Sequence, residues 1–208
     1  MKPDSIILDI DGTLWDATPI VAEAWNQIVS QRDDIPARFT AQRIKELFGR
    51  PLPVIADMIF PNLEPEERYK LIDICCDREH ELLLESPEDI TYPGVIDTIK
   101  ALSQDYKLII VSNCQAGYIE VFLKKTGLAP YITDYTCPGD TGLHKGPNIR
   151  LMVERHQLQN AVYVGDIAGD QRASKEADVP FCHATYGFGE VEGADYIIDR
   201  FSDLLTVF

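Results

Sequence analysis

Residues 5–10, Ser-Ile-Ile-Leu-Asp-Ile, form a short apolar run in which polar and apolar positions do not alternate. A strand with one wet face would alternate, so this run reads as a strand covered on both faces, the habit of parallel sheets. Asp11-Gly12-Thr13 closes it with turn residues. From residue 94 onward, similar short apolar runs at 107–111, 132–136, 161–164, 181–184 and 196–198 alternate with helical patterns. Those helices are expected at 95–102, 118–125, 149–156, 168–177 and 201–205. Repeated βα units imply a parallel sheet with right-handed crossovers and helices on both faces.

Between the first run and about residue 87 the pattern is helical throughout. Residues 19–31 place Ile20, Ala24 and Ile28 on one stripe, with Pro19 in the first turn. Thr40 is placed to cap a second helix whose Ile44, Leu47 and Phe48 share a face and which Gly49 stops. Pro65 opens a longer helix carrying Leu71, Ile72, Cys75, Cys76, Leu82 and Leu83, with Glu66 and Glu67 in the favourable first turn. The expected fold is therefore α/β. A Rossmann-like parallel-sheet core of residues 1–15 and 90–208 carries an all-helical insert at 16–89, with hinges near 14–18 and 86–92.

The 208 residues bear 19 Lys+Arg against 34 Asp+Glu, a formal charge of −15 at pH 7. Such a surface repels phosphate backbones, so nucleic acid is excluded as a partner, while a small anion can enter where a cation recruits it. The insert is acidic too, with 8 basic and 16 acidic residues over 15–90. Arg38, Arg43, Lys45 and Arg50 make a local basic exception, which is either a solvated face or an anion contact. Arg50, just past the Gly49 stop, is the candidate substrate contact from the insert. Trp15, Trp25, Phe39 and Phe48 read as core, and Cys75-Cys76 as packing. The five cysteines include no C-x-x-C pair and their number is odd, which points to reduced thiols and a cytoplasmic location. No two of the four histidines stand at metal-ligand spacing, and no apolar run is long enough to span a bilayer. The N-terminal residues lack the pattern of a secretory signal.

In open parallel sheets, functional groups gather at the carboxyl ends of the strands. Those ends supply Asp9 and Asp11, then Ser112-Asn113, then Asp166 with Asp170 four residues on, and Lys145 lies in the loop opening a helix. Four carboxylates brought together would repel one another, and a hard divalent ion relieves that repulsion. A donor set made only of oxygen selects Mg²⁺. With a phosphate sharing the ion, one aspartate can attack phosphorus and a second carboxylate can protonate the leaving oxygen and later deprotonate water. The hydroxyl, main-chain N–H groups and the lysine can hold the phosphoryl oxygens.

Asp9-Ile10-Asp11-Gly12-Thr13-Leu14, Ser112-Asn113, Lys145 and Gly165-Asp166-x-x-x-Asp170 resemble, in order, the four motifs of the haloacid dehalogenase superfamily. The helical insert after the first motif resembles the C1 cap of its phosphoglycolate-phosphatase-like and β-phosphoglucomutase-like branches. The resemblance implies Mg²⁺-dependent hydrolysis of a small phosphorylated metabolite through an aspartyl-phosphate. It implies Asp9 as nucleophile and metal ligand, and Asp11 as general acid/base that lends its main-chain carbonyl to the metal. Ser112, Asn113 and Lys145 would bind phosphate, Asp166 would be a ligand, and Asp170 a ligand or an acceptor for metal-bound water. A carboxylic acid at position 11 favours a phosphatase over a dehalogenase, because an alkoxide needs a proton and a halide does not. The departures are small: Cys114 follows Ser112-Asn113, and Gly146-Pro147 follows Lys145 where Lys-Pro is commoner. A phosphosugar mutase, a non-catalytic protein of the same fold and a receiver-type domain remain alternatives. The particular phosphoester and the oligomeric state are open.

Overall fold

The computed structural model describes residues 2–35 and 38–208. Met1, in the expected core segment, and Pro36-Ala37, in the expected insert, lie outside the described residues. The elements run in the order β1 (Ser5–Leu8), α1 (Thr18–Val29), α2 (Ala41–Leu47), α3 (Leu52–Ile59), α4 (Pro65–Glu85), α5 (Val95–Leu102), β2 (Lys107–Val111), α6 (Tyr118–Thr126), β3 (Asp134–Thr136), α7 (Pro138–Thr141), α8 (Lys145–Arg155), β4 (Ala161–Gly165), α9 (Ala168–Glu176), β5 (Phe181–Ala184), β6 (Tyr196–Ile198) and α10 (Leu204–Val207). The six strands form one sheet, ordered β3-β2-β1-β4-β5-β6, and every pairing is parallel.

The absence of alternation in β1 has the expected cause. Ile6 and Leu8 belong to the larger apolar cluster, and Ile7 to a second cluster on the other face, with Ile109, Tyr163 and Phe181. All three β1 side chains are fully buried. Each contributes roughly 1.5–3 kcal/mol relative to an exposed position.

The central strand β1 is flanked by β2 and β4 in matched register: Ser5 stands opposite both Lys107 and Ala161, and Leu8 opposite both Ile110 and Val164. The strand order reverses direction beside β1, so the crevice at the carboxyl ends of β1, β2 and β4 is the topological switch point of the sheet.

Most element bounds follow the sequence pattern, and the differences have local causes. The strand β1 ends at Leu8 rather than Ile10, because the chain turns there and Ile10 O accepts from the N–H groups of Thr13 and Leu14. The helix α8 begins at Lys145 rather than residue 149; Pro147 falls in its first turn, where no N–H is needed. A 3₁₀ turn at Ala129–Tyr131 occupies the approach to β3 and shortens that strand. The helix α3, which follows Pro51 and carries Pro53 in its first turn, is an addition to the three helices read in the insert. Thr40 caps α2 as expected, its hydroxyl accepting from Arg43 N–H at 3.1 Å.

The helices α1–α4 stand between β1 and α5 and pack on one another, while α4 also meets α6 of the core. The outgoing and returning segments are tied side by side: Asp16 N–H donates to Ile90 O at 2.9 Å and Tyr92 N–H to Leu14 O at 3.0 Å. Lys45 of α2 pairs with Asp16 at 2.6 Å. Among the described residues, no helix is long and apolar enough to cross a membrane.

Candidate active site

Matched register brings the carboxyl ends of β1, β2 and β4 to within one residue of one another, and Asp9, Ser112 and Asp166 directly follow them. Asp9 N–H continues the ladder to Val164 O at 2.9 Å. Asp9, Asp166 and Asp170 each offer a carboxylate oxygen within 4.8 Å of the others, and all three are buried. The N-terminus of α8 delivers Lys145 into this group. Its Nζ lies 3.0 Å from Asp9 Oδ1 and 2.6 Å from Asp170 Oδ1, with the side chain 3% exposed. Burial opposes the charge on Lys145, and the adjacent Asp170 and Asp9 outweigh it and hold the ammonium protonated.

Each aspartate has its own surroundings. Asp170 is fully committed: Oδ1 accepts from Lys145, and Oδ2 from the N–H groups of Asp166 (3.1 Å) and Ile167 (3.2 Å). Asp166 Oδ2 accepts from Phe188 N–H at 2.7 Å. Burial, then repulsion from Asp170 and Asp9, push the Asp166 carboxyl above the ordinary carboxylate range. Burial pushes the Asp9 carboxyl up, against the pull of Lys145. Asp9 Oδ1 is buried without a well-directed hydrogen bond. Two glycines permit this crowding. Gly12 has φ +80°, and a Cβ there would overlap the Asp166 carboxylate; a Cβ at Gly187 would overlap Asp166 and Gly12 O.

Asp11 stands apart from the cluster. Its Oδ1 accepts from Tyr118 OH at 2.7 Å and from Trp15 Nε1 at 2.9 Å. Burial raises its carboxyl well above the ordinary range, opposed by the Tyr118 hydrogen bond. Asn113 reaches the insert, its Nδ2 donating to Gly49 O at 2.9 Å.

Over these residues lies a narrow cavity of about 40 Å³ between the core and the helical insert. Asp9, Asp11, Ser112, Asn113 and Asp166 line it from the core, and Arg50 from the segment after α2. Lys145 and Asp170 sit behind the lining. Of the basic exception read in the sequence, Arg43 and Lys45 are engaged in ion pairs with Glu46 and Asp16, and Arg50 is exposed at the cavity. Trp15, Trp25 and Phe39 are buried as expected, although Trp25 and the half-buried Phe48 also face the cavity.

Sequence reasoning passed over Tyr118, the Trp15 indole, Gln115 and Glu79. Of these, Glu79 carried a readable signal. It follows Cys75 by four positions and precedes Leu83 by four, so it is a charge on the apolar stripe of α4.

Residues 6–184 match the family model described as haloacid dehalogenase-like hydrolase. The chain belongs to that family. It is 29% identical to a phosphoglycolate phosphatase of Agrobacterium fabrum, across 95% of this chain and 89% of that protein. Its fold is shared by a haloacid dehalogenase-like family hydrolase from Streptococcus pneumoniae (TM-score 0.83, 22% identity, 99% and 98% of the two chains). CbbY from Rhodobacter sphaeroides, solved in complex with xylulose-(1,5)bisphosphate, is also similar in fold (TM-score 0.82, 19% identity, 98% and 96%).

Proposed function

We propose that this chain is a Mg²⁺-dependent phosphatase that hydrolyses a small phosphorylated metabolite through an aspartyl-phosphate on Asp9. The likeness to phosphoglycolate phosphatases over most of both chains supports the reaction class. The observation that carries the mechanism is the pairing of two differently held carboxylates, Asp9 beside Lys145 and Asp11 beneath Tyr118, on one cavity.

The donor set fits the metal. It is made only of oxygen, and its three buried carboxylates lie close enough to repel one another. Asp9, Asp166 and the Asp11 main-chain carbonyl would hold Mg²⁺, with Asp170, its oxygens already occupied, orienting its neighbours. When bound, the ion neutralises charge on the carboxylates and the phosphoryl oxygens.

In the first step an Asp9 carboxylate oxygen attacks phosphorus, and the bond from phosphorus to the leaving oxygen breaks. Asp11 gives that oxygen its proton. The ionised Asp11 then takes a proton from water, whose oxygen attacks the same phosphorus and frees the Asp9 carboxylate and phosphate. Ser112, Asn113 and Lys145 bind the phosphoryl oxygens as their charge redistributes. The insert, residues 16–89, acts as a cap hinged near 14–18 and 86–92 that closes on the core of residues 1–15 and 90–208 and excludes water. Arg50 meets the substrate from that cap. The five free thiols support a reducing, cytoplasmic setting.

A phosphate-release screen across phosphorylated metabolites, with and without Mg²⁺, tests the reading. Release should require Mg²⁺. Asp9→Asn should lower kcat by more than about 10³-fold with the circular dichroism spectrum unchanged. A folded variant that retains wild-type turnover would remove Asp9 from its role.

A further inference from the structure

Among the carboxyl groups lining the cavity, Glu79 alone has no task in the proposed reaction. Glu79, on α4 of the insert, is 3% exposed yet lines the same void as Asp9 and Asp11. Trp25 Nε1 donates to its Oε2 at 2.8 Å and Gln115 Nε2 to its Oε1 at 3.1 Å. Both partners are neutral donors, one to each oxygen, so the protein presents Glu79 as an acceptor. A carboxylate accepts about four hydrogen bonds, which leaves lone pairs for a ligand in the cavity. Phe48, Leu52 and Ile55 supply apolar wall around it.

We infer that Glu79 selects the leaving group, admitting phosphoesters whose alcohol portion carries a further hydrogen-bond donor and disfavouring those whose alcohol portion carries a carboxylate. The inference rests on the phosphatase reading. A hydroxyl or ammonium group on the leaving alcohol satisfies the buried acceptor. A carboxylate there would meet a like charge in a poorly solvated site, where repulsion is least screened. Arg50 also lines the cavity, but it is exposed, so water weakens its pull on an anion. Glu79 also bridges the insert to the core through Gln115, and ties α4 to α1 through Trp25. A purely structural bridge would affect all substrates alike, whereas a selecting group changes their ratio.

The test compares kcat/KM for phosphate release from glycerol 3-phosphate, phosphoethanolamine, ethyl phosphate, 2-phosphoglycolate and p-nitrophenyl phosphate. The assays use wild type and Glu79→Gln with Mg²⁺ at pH ~8, above the value of about 7 to which burial raises this carboxyl. The amide that this substitution introduces can be accommodated by rotation of the Gln115 amide. Wild type should prefer a donor-bearing ester to 2-phosphoglycolate by about ten- to a hundredfold, the worth of one hydrogen bond to a charged group. Whichever of glycerol 3-phosphate and phosphoethanolamine is preferred distinguishes hydroxyl from ammonium. Glu79→Gln should shrink the preference by a similar factor, mainly through KM. A wild-type preference for 2-phosphoglycolate, or a ratio unchanged in the variant, overturns the inference. If the variant does not fold, the wild-type ranking decides. Hydrolysis of p-nitrophenyl phosphate without preference for donor-bearing esters defeats the inference alone, while no release from any ester defeats the phosphatase reading with it.

Discussion

Lys145 makes the acidic centre of this chain foldable. Of the three buried aspartates, Asp9 and Asp170 share its ammonium, both within ion-pair distance of it. Removing one partner of a buried pair leaves uncompensated charge behind. Lys145→Met should therefore cost about 3–5 kcal/mol in urea unfolding with the metal chelated; a loss under about 1 kcal/mol would show the aspartates already neutralised by protons. Glu79 yields a pH-dependent prediction. Its carboxyl is raised from 4.5 to about 7 in the folded chain, first by burial, so the folded state keeps a proton that the unfolded state releases. That contribution is complete below pH 4.5 and disappears as pH rises through about 7. The difference in Tm between wild type and Glu79→Gln should move against wild type over that window, and a difference independent of pH would contradict the shift. The aspartates were legible as a set because they follow strand-like runs. Their separate roles were not, since Asp11 differs from Asp9 through Tyr118, 107 positions away in sequence.

Among the elements, those with an unbroken pattern and clear ends were readable to the residue: β2, β5, β6 and α5 have the expected bounds. Proline was read correctly at the starts of α1 and α4, through Pro19 and Pro65, but not at those of α8 and α3. Pro147 reads as lying ahead of α8 although it lies within its first turn, and α3 begins beside Pro51 and Pro53. Proline both breaks helices and favours their first turns, so it marks a boundary without saying on which side the helix lies. The cap of α2 is a local feature with a local test. Thr40→Ala removes the acceptor for Arg43 N–H and should cost about 1 kcal/mol in urea unfolding. No change in the midpoint would mean that water replaces the hydroxyl at no cost.

For the whole molecule, the site belongs to the union of core and insert. Asn113 donates to Gly49 O, Gln115 to Glu79, and Lys45 pairs with Asp16 beside the returning segment. The metal reading has a consequence at this scale. A ligand that binds only the folded chain stabilises it by mass action, so Mg²⁺ at about a hundred times its Kd should add about 2.7 kcal/mol and raise Tm, reversibly with chelator. An unaltered Tm across a Mg²⁺ titration at neutral pH would argue against the site. Local pattern, read along the chain, was enough for the parallel sheet, the helical insert, the four motifs and the family they resemble. Strand periodicity, turn chemistry and motif order are properties of neighbouring residues. The partition of the carboxylates among Lys145, Tyr118 and main-chain N–H groups, and the arrival of Glu79 in the cavity, came only with the folded chain. Burial and pairing depend on what distant segments bring to the same place.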